Sequence, residues 1–491
     1  MKIPQEILEV ITQLTENNFE AYLVGGCVRD LLLGRAPKDW DIATKAKPEE
    51  IQVIFPQSVY ENQFGTVSVK TASENPSLKI IEITTFRQDV KYSDKRHPDA
   101  IKFAQTIEED LSRRDFTINA IALQAGKLAP SVKLIDPFGG QVDLKKKLIR
   151  TVGDSEQRFE EDALRLMRAI RLACELDFQI EDNTFKAIRH KATLIRFIAK
   201  ERIRDEFIKI IDTPRAQNGI VLLQETTLLH EIIPELEQGI GVTQNKHHRY
   251  TVYEHLLRSL DYAASKDYNR SVRLAALFHD IGKPKVKEGE GLNSTFYNHE
   301  IVSAKMTAKI LSRLKFSKEE SEKIIKLVRY HGFVYDPEIT TDASVRRLLI
   351  KVGKDNIRDL AQLREADRIG SGCPKALPFR LRHFLFRVEK ILKESSGEQP
   401  SLKMLKINGH DIMETLKIPS GPKIGALLSI LLEEVLDDPK KNTQDYLLKR
   451  AQELNKLSEL ELKKKEKLAQ AKYKNLLAEE ETKIKQKYRV D

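Results

Sequence analysis

The stretch LVGGCVRDLLLGRAPKDWDIAT, residues 23–44, decides how this chain is read. It joins a Gly-Gly turn that opens a helix, Gly25 and Gly26, to an Asp-x-Asp pair, Asp39 and Asp41. On a strand, alternation puts Asp39 and Asp41 on one face and Trp40 on the other, so the two carboxylates can share a pair of divalent cations. The glycines let the backbone turn sharply and approach a ligand, and the N–H groups that start the following helix suit a polyphosphate. Metal and triphosphate at one place imply nucleotidyl transfer. Taken singly, each piece is an ordinary tight turn or a solvated strand edge; the spacing is what joins them.

Working outward, 491 residues amount to several domains, each long enough to bury a core. The 41% hydrophobic content is that of a soluble protein, and no apolar run approaches the ~20 residues a membrane span needs. The N-terminal MKIPQEILEVITQL lacks the basic-then-apolar pattern of a signal peptide, so a cytoplasmic protein is expected. Cys27, Cys174 and Cys373 show no CxxC spacing, which argues against a disulfide framework or a thiolate zinc site. A net charge of +10 points to a polyanionic partner.

The first 150 residues alternate β-rich runs (AYLVGG, DWDIAT, TVSVKT, KIIEITTF, AIKF, INAIAL) with short helical patterns. Almost everything after Asp154 has helical spacing. An α+β protein is expected: a small mixed α/β head (1–150), a helical neck (151–235), a block with its own His/Asp pattern (236–375), a further helical region (376–440) and a Lys/Glu-rich tail (441–491) forming a solvated helix or hairpin.

The pattern GG-x-V-R-D-x-L-x-G followed by KDWDIAT resembles the class II nucleotidyltransferases, the group containing bacterial CCA-adding enzymes and bacterial poly(A) polymerases. That resemblance implies tRNA as partner, CTP and ATP as substrates, and Mg²⁺ at Asp39 and Asp41. It puts a third acid at Glu82, which either completes the metal site or only orients Arg87. Arg29 and Asp30 then bind phosphate and brace the turn, or form a plain helix-surface pair. Arg114, Asp115 and Asn119 in RRDFTINAIAL resemble the family's sugar-recognition motif, which separates ribonucleotides from deoxyribonucleotides by the hydrogen bonds it offers the 2′-hydroxyl. Residues 89–103 resemble the flexible loop of CCA- and A-adding enzymes.

Glu161, Asp162 and Arg165 match the family's EDxxR element. On one helix, Asp162 and Arg165 share a face. An aspartate accepting from an exocyclic amine and an arginine donating to a ring acceptor suit cytosine and adenine; uracil and guanine leave polar groups unsatisfied at ~1–3 kcal/mol each. Arg202 and Glu206 in the following ERIRDEF are expected to brace this reader.

A second signature runs VYEHLLRSL, LAALFHDIGKPK, NHE, RYHG, LREADRIG. It resembles the HD phosphohydrolase superfamily, whose core ligands match His255, His279, Asp280 and Asp367. Imidazole and carboxylate donors suit Mg²⁺, Mn²⁺, Ni²⁺ or Fe²⁺. His299 and His331 serve a second metal or bind phosphate, and Lys283 contacts phosphate. Together these resemblances imply a template-independent tRNA nucleotidyltransferase with an HD phosphohydrolase domain. The alternatives are an A-adding enzyme or poly(A) polymerase, and a chain that is chiefly an HD phosphodiesterase or phosphatase.

Overall fold

The computed structural model describes residues 2–62, 65–90, 100–125, 133–245, 249–372, 378–394 and 402–469, together with 479 and 482–483. Most of the expected flexible loop (91–99), Cys373 and most of the tail beyond 469 lie outside the described residues. Contacts divide the chain into two compact units. One comprises Met1–Glu237 with Ser312–Phe316, the other Gln238–Leu311 with Ser317–Asp491.

The first unit is built on a mixed sheet. Its strands are β1 (Ala21–Val24), β2 (Asp41–Thr44), β3 (Ser58–Asn62), β4 (Thr66–Lys70), β5 (Ile80–Thr85), β8 (Ala122–Gln124) and β9 (Lys133–Ile135), in the order β3-β4-β5-β2-β1-β8-β9; β6 (Arg87–Val90) and β7 (Ala100–Phe103) form a separate hairpin. β1 is buried along its whole length because it lies between β2 and β8, and its sequence AYLV is apolar throughout. β5 alternates, with Ile81, Ile83 and Thr85 turned inward and Glu82 outward. Fully burying an Ile or Phe side chain contributes ~1.5–3 kcal/mol, so Phe86, Leu111 and Val24, closed in one apolar cluster, hold β1 and β2 against the helix Ile107–Ser112.

Two expectations are corrected here. The strand begins at Asp41, so Asp39 sits in a bend ahead of it rather than two places along one pleated face; β2 pairs Val24 with Asp41 on one side and Glu82 with Asp41 on the other. The run FEEDALRLMRAIRLA is not one helix. It breaks between Ser155–Glu161 and Arg165–Leu176, with Asp162 in extended backbone (φ −135°, ψ 104°).

The second unit is helical among the described residues, apart from a single bridge, Glu288 to Thr295. Val252–Ser265 starts in a capping box of Thr251 and Glu254, which satisfies two orphan N–H groups reciprocally. Val252–Ser265 and Ile357–Gly370 pack so closely that a Cβ on Gly370 would lie 2.8 Å from the Ser259 nitrogen. Only glycine allows that approach, and it is what brings His255 and Asp367 together. A smaller core lies C-terminal to these helices, where Ile412, Leu427, Leu431, Leu447 and Leu454 close Gly409–Leu416, Pro422–Asp437 and Gln444–Asn455 on one another. Gln444–Asn455, expected to stand in solvent, buries its Leu447, Ala451 and Leu454 there. Arg347, 2% exposed, spans from Asp342–Val352 to this core: Nε donates to Glu433 at 2.8 Å and Nη2 to Asp437 at 2.6 Å, while Arg346 donates to the Leu436 carbonyl.

Candidate active site and candidate metal centre

In the head, a cleft of about 810 Å³ is lined by Gly25, Gly26, Arg29, Asp39, Asp41, Arg114, Asp115 and Asn119. Gly25 has φ 77° and ψ −138°, a conformation that side chains resist, and the helix Gly26–Leu32 starts directly after it. A Cβ on Gly25 would meet Arg114 Nη1 at 2.9 Å and Asp41 Oδ2 at 3.3 Å. The bare backbone there leaves room for a cation and a carboxylate to converge on it. Burial pushes the Asp41 carboxyl up, the like charge of Asp39 adds to this, and the Arg114 guanidinium opposes it. That pair is short of positive charge.

The sugar-motif residues form a chain of bonds along the cleft floor. Arg29 Nη1 donates to Asn119 Oδ1 at 2.8 Å, and Asn119 Nδ2 donates to Asp115 Oδ1 at 3.1 Å. Arg168 closes the chain with two bonds to Asp115 Oδ2, at 2.9 and 2.5 Å. Burial acts to raise the Asp115 carboxyl, but the Arg168 charge and its hydrogen bonds win and hold it well below the usual carboxylate range. Arg29 also pairs with Asp30 at 2.9 Å, the ion pair that the sequence left as the alternative for these two residues.

Glu82 faces the same side of the sheet as Asp41, its partner in parallel register. Among the described residues, however, the acid and histidine groups gathered tightly enough for one ion both lie in the second unit, and Asp39, Asp41 and Glu82 are not among them. Asp162 Oδ1 accepts from the Leu164 N–H at 3.0 Å in the turn before the next helix, and Oδ2 lies 3.7 Å from Arg202. Arg165 donates to Glu161 at 2.7 Å and to the Arg113 carbonyl at 3.0 Å. Neither side chain lines the cleft. Arg168 and Arg171, one and two turns further along Arg165–Leu176, do, with Glu206 steadying Arg171 at 3.1 Å. Sequence reasoning missed both. The signal was present as the three-residue spacing of Arg165, Arg168 and Arg171, a cationic stripe on one helix.

In the second unit, His255, His279, Asp280 and Asp367 bring one donor atom each within 4.8 Å of one another, and Asp280, His299 and His331 form a second such set. His255 Nε2 lies 2.9 Å from His279 Nε2, 3.2 Å from Asp280 Oδ2 and 3.3 Å from Asp367 Oδ1. Asp280 Oδ1 faces the other way, 3.2 Å from His299 Nε2 and 3.4 Å from His331 Nε2. One carboxylate thus spans both sets.

The tautomers follow from helix ends. His279 and His331 are the C-caps of Arg270–Phe278 and Lys318–Tyr330, where the last carbonyls lack helical partners. Their Nδ1 atoms reach the Ala276 and Val328 carbonyls at 2.9 and 2.7 Å, and His299 Nδ1 reaches the Phe296 carbonyl at 2.8 Å. A carbonyl only accepts, so each Nδ1 carries a proton, and each ring, when neutral, turns its Nε2 lone pair to the centre. Burial alone would depress His279, but Asp280 and Asp367 outweigh it and push it up to about 10: the carboxylates draw in positive charge. Lys283 Nζ supplies some, 2.7 Å from Asp280 Oδ2, held from behind by Gln244 Oε1 at 2.6 Å. The donor chemistry fits a divalent cation in either set.

Comparisons with known proteins match three domain families along the chain. The Poly A polymerase head domain family matches residues 21–150, the probable RNA and SrmB-binding site of polymerase A matches 177–240, and the HD domain family matches 252–369. A CCA-adding enzyme of Lactococcus lactis subsp. cremoris is 32% identical over 94% of this chain and 99% of its own length. A CCA-adding enzyme of Geobacillus stearothermophilus is 45% identical over 46% of this chain, a match that spans about half (54%) of that relative. The crystal structure of Bacillus stearothermophilus CCA-adding enzyme in complex with CTP superposes with a TM-score of 0.66 at 29% identity, covering 93% of this chain and 98% of that one. In the described residues, no helix is long and apolar enough to cross a membrane. The head, the RNA-binding neck and the HD block, in this order along one chain, make it a member of the nucleotidyltransferase family that contains the CCA-adding enzymes and bacterial poly(A) polymerases.

Proposed function

We propose that this protein is a template-independent tRNA nucleotidyltransferase that builds the CCA end from CTP and ATP in the cytoplasm. The observation that carries the reading is the cradle at Gly25, where Asp41 and Arg114 converge on bare backbone at the start of a helix. The relative crystallised with CTP supports the choice of nucleotide. In the reaction, the RNA 3′-hydroxyl oxygen bonds to the α-phosphorus of the nucleotide, the bond to the β-phosphate bridging oxygen breaks, and pyrophosphate leaves.

Asp39 and Asp41 would hold Mg²⁺, which supplies acidification of the 3′-hydroxyl and neutralisation of the leaving pyrophosphate. Glu82, in register with Asp41, supports that pair from the neighbouring strand. Gly25 and Gly26 present backbone to the triphosphate, with Arg29 and Arg114 as its cationic partners. Asp115 and Asn119 keep the cleft floor rigid for the ribose, and Arg168 and Arg171 line the wall beyond it. Asp162 and Arg165 read the base edge. Both are committed to local partners in the structure, so the reading requires them to exchange the Leu164 N–H and Glu161 for the nucleotide. Supplying the protein with tRNA lacking CCA, ending in C, or ending in CC, and with each nucleotide separately, tests this: stepwise addition of C, C and A is expected, and addition of A alone would favour an A-adding enzyme.

We further propose that the HD block is a metal-dependent phosphohydrolase site, with His255, His279, Asp280 and Asp367 as one ligand set and Asp280, His299 and His331 as the second. The bridging position of Asp280 supports it. Lys283 is placed to meet a phosphate oxygen. Release of phosphate monoester from 2′,3′-cyclic nucleotides with Mn²⁺, Ni²⁺ or Mg²⁺ added is the measurement that decides it.

A further inference from the structure

We propose that Arg364 is a positioning residue for one of the two cation sets of the HD block, acting through Asp367 alone. The inference rests on the reading of that block as a metal centre. Asp367 divides its oxygens: Oδ1 lies 3.3 Å from His255 Nε2 and 3.5 Å from His279 Nε2, while Oδ2 accepts from Arg364 Nη1 at 2.6 Å. The two residues sit one turn apart on Ile357–Gly370, so the guanidinium reaches the carboxylate without crossing to another element.

A carboxylate held by one oxygen has its remaining oxygen and its rotamer fixed. Released, it turns about its terminal torsion, a broad two-fold well, and loses the aim of Oδ1 at the histidine pair. His279, His299 and His331 receive the same kind of support from backbone carbonyls. No carbonyl can donate to a carboxylate, so Asp367 needs an N–H or O–H donor instead, and Arg364 supplies a charged one. The effect is confined to one set, because Asp367 belongs to the four-residue group and not to Asp280, His299 and His331. Arg364 is itself 20% exposed along its side chain, which lets it be replaced without emptying a core.

The test is direct titration of the metal-free full-length protein with Mn²⁺, following free Mn²⁺ by its paramagnetic resonance, with no substrate present. R364Q is expected to weaken one class of bound Mn²⁺ by about 10–100-fold, the usual effect of losing an outer-sphere partner, and to leave the class weakened by H299A within about twofold of wild type. R364K, which restores a cation and a donor, is expected to recover part of the loss. Equal weakening of both classes, or unchanged binding in R364Q with a lowered melting temperature, would show a merely structural arginine and overturn the proposal. If R364Q fails to fold, R364M, which keeps the stem and removes the donor, carries the same titration. A wild-type protein that binds no Mn²⁺ would instead overturn the metal-centre reading, and this inference with it.

Discussion

Asp39 stands exposed on a bend and Asp41 is half-buried at the first residue of a strand, whereas His255 and His279 are wholly enclosed and Asp280 is 1% exposed. In the head, the acids do not draw together on their own. In the HD block, six groups are already aimed, three of the rings by carbonyls that fix their tautomers. The difference matches what each site must do on the proposed reading. An open cleft that takes in two different nucleotides and a growing RNA end has its ion delivered with the substrate, while a closed cluster of imidazoles and carboxylates keeps a resident ion. Preformed ligand geometry is therefore a mark of residence, and loosely gathered carboxylates beside a glycine cradle a mark of traffic.

Substitutions can break this contrast or sharpen it. Asp41→Asn should reduce CTP and ATP incorporation by about 10³-fold with RNA binding retained, because it removes charge without changing shape. Near-normal incorporation would end the assignment. Asp280→Ala should lower metal-dependent hydrolysis of 2′,3′-cyclic nucleotides by more than about 100-fold, since even an outer-sphere loss costs about 10–100-fold. Nucleotide addition in that variant should stay within about twofold, as independent sites do not couple. Loss of both activities in a folded variant would mean that the two sites are one.

Smaller effects follow in the cleft. Arg165→Ala should relax discrimination against UTP and GTP by about 1–3 kcal/mol in relative kcat/KM, and Asp162→Ala should do the same for readout of the exocyclic amine. Wild-type selectivity in both would leave base choice to Arg168 and Arg171. Gly25→Ala adds a Cβ against Arg114 and Asp41 at φ 77°, a strain of about 1–3 kcal/mol, and should appear as a raised KM for both nucleotides. The smallest expected effect concerns Cys27, a buried thiol on the cleft floor that burial pushes up to about 11. At neutral pH, iodoacetamide should leave it unmodified and activity unchanged; rapid labelling there would show the floor opening.

Much of this was legible in the residues. The apolar runs that became β1, β2, β4, β5, β7 and β8 carry β-branched and alternating patterns, and the resemblance of the His/Asp segments to the HD superfamily implied the residues that the helices bring together. What was not legible depends on contacts between distant segments. β3 and β9 are edge strands whose pairing, not their composition, makes them strands. The break at Asp162 was hidden because DALRLMRAIRLA reads as continuous helix; Asp162 instead takes extended backbone and its carboxylate accepts the Leu164 N–H in the turn between the two helices. The burial of Gln444–Asn455 was hidden by its charge, since Leu447, Ala451 and Leu454 are a thin stripe that only a partner core reveals.

The arginine pair 346–347 has a consequence for anyone who trims this chain. With Glu433, Asp437 and the Leu436 carbonyl as its acceptors, the C-terminal helical core supplies the counter-charge for a guanidinium that the HD block encloses. Deleting residues from 402 onward would strand Arg347 without its acids, at about 3–5 kcal/mol for a broken buried pair. A shortened protein would then fail for an electrostatic reason unrelated to either site, and R347M, made in the same truncation, should restore its solubility and melting temperature.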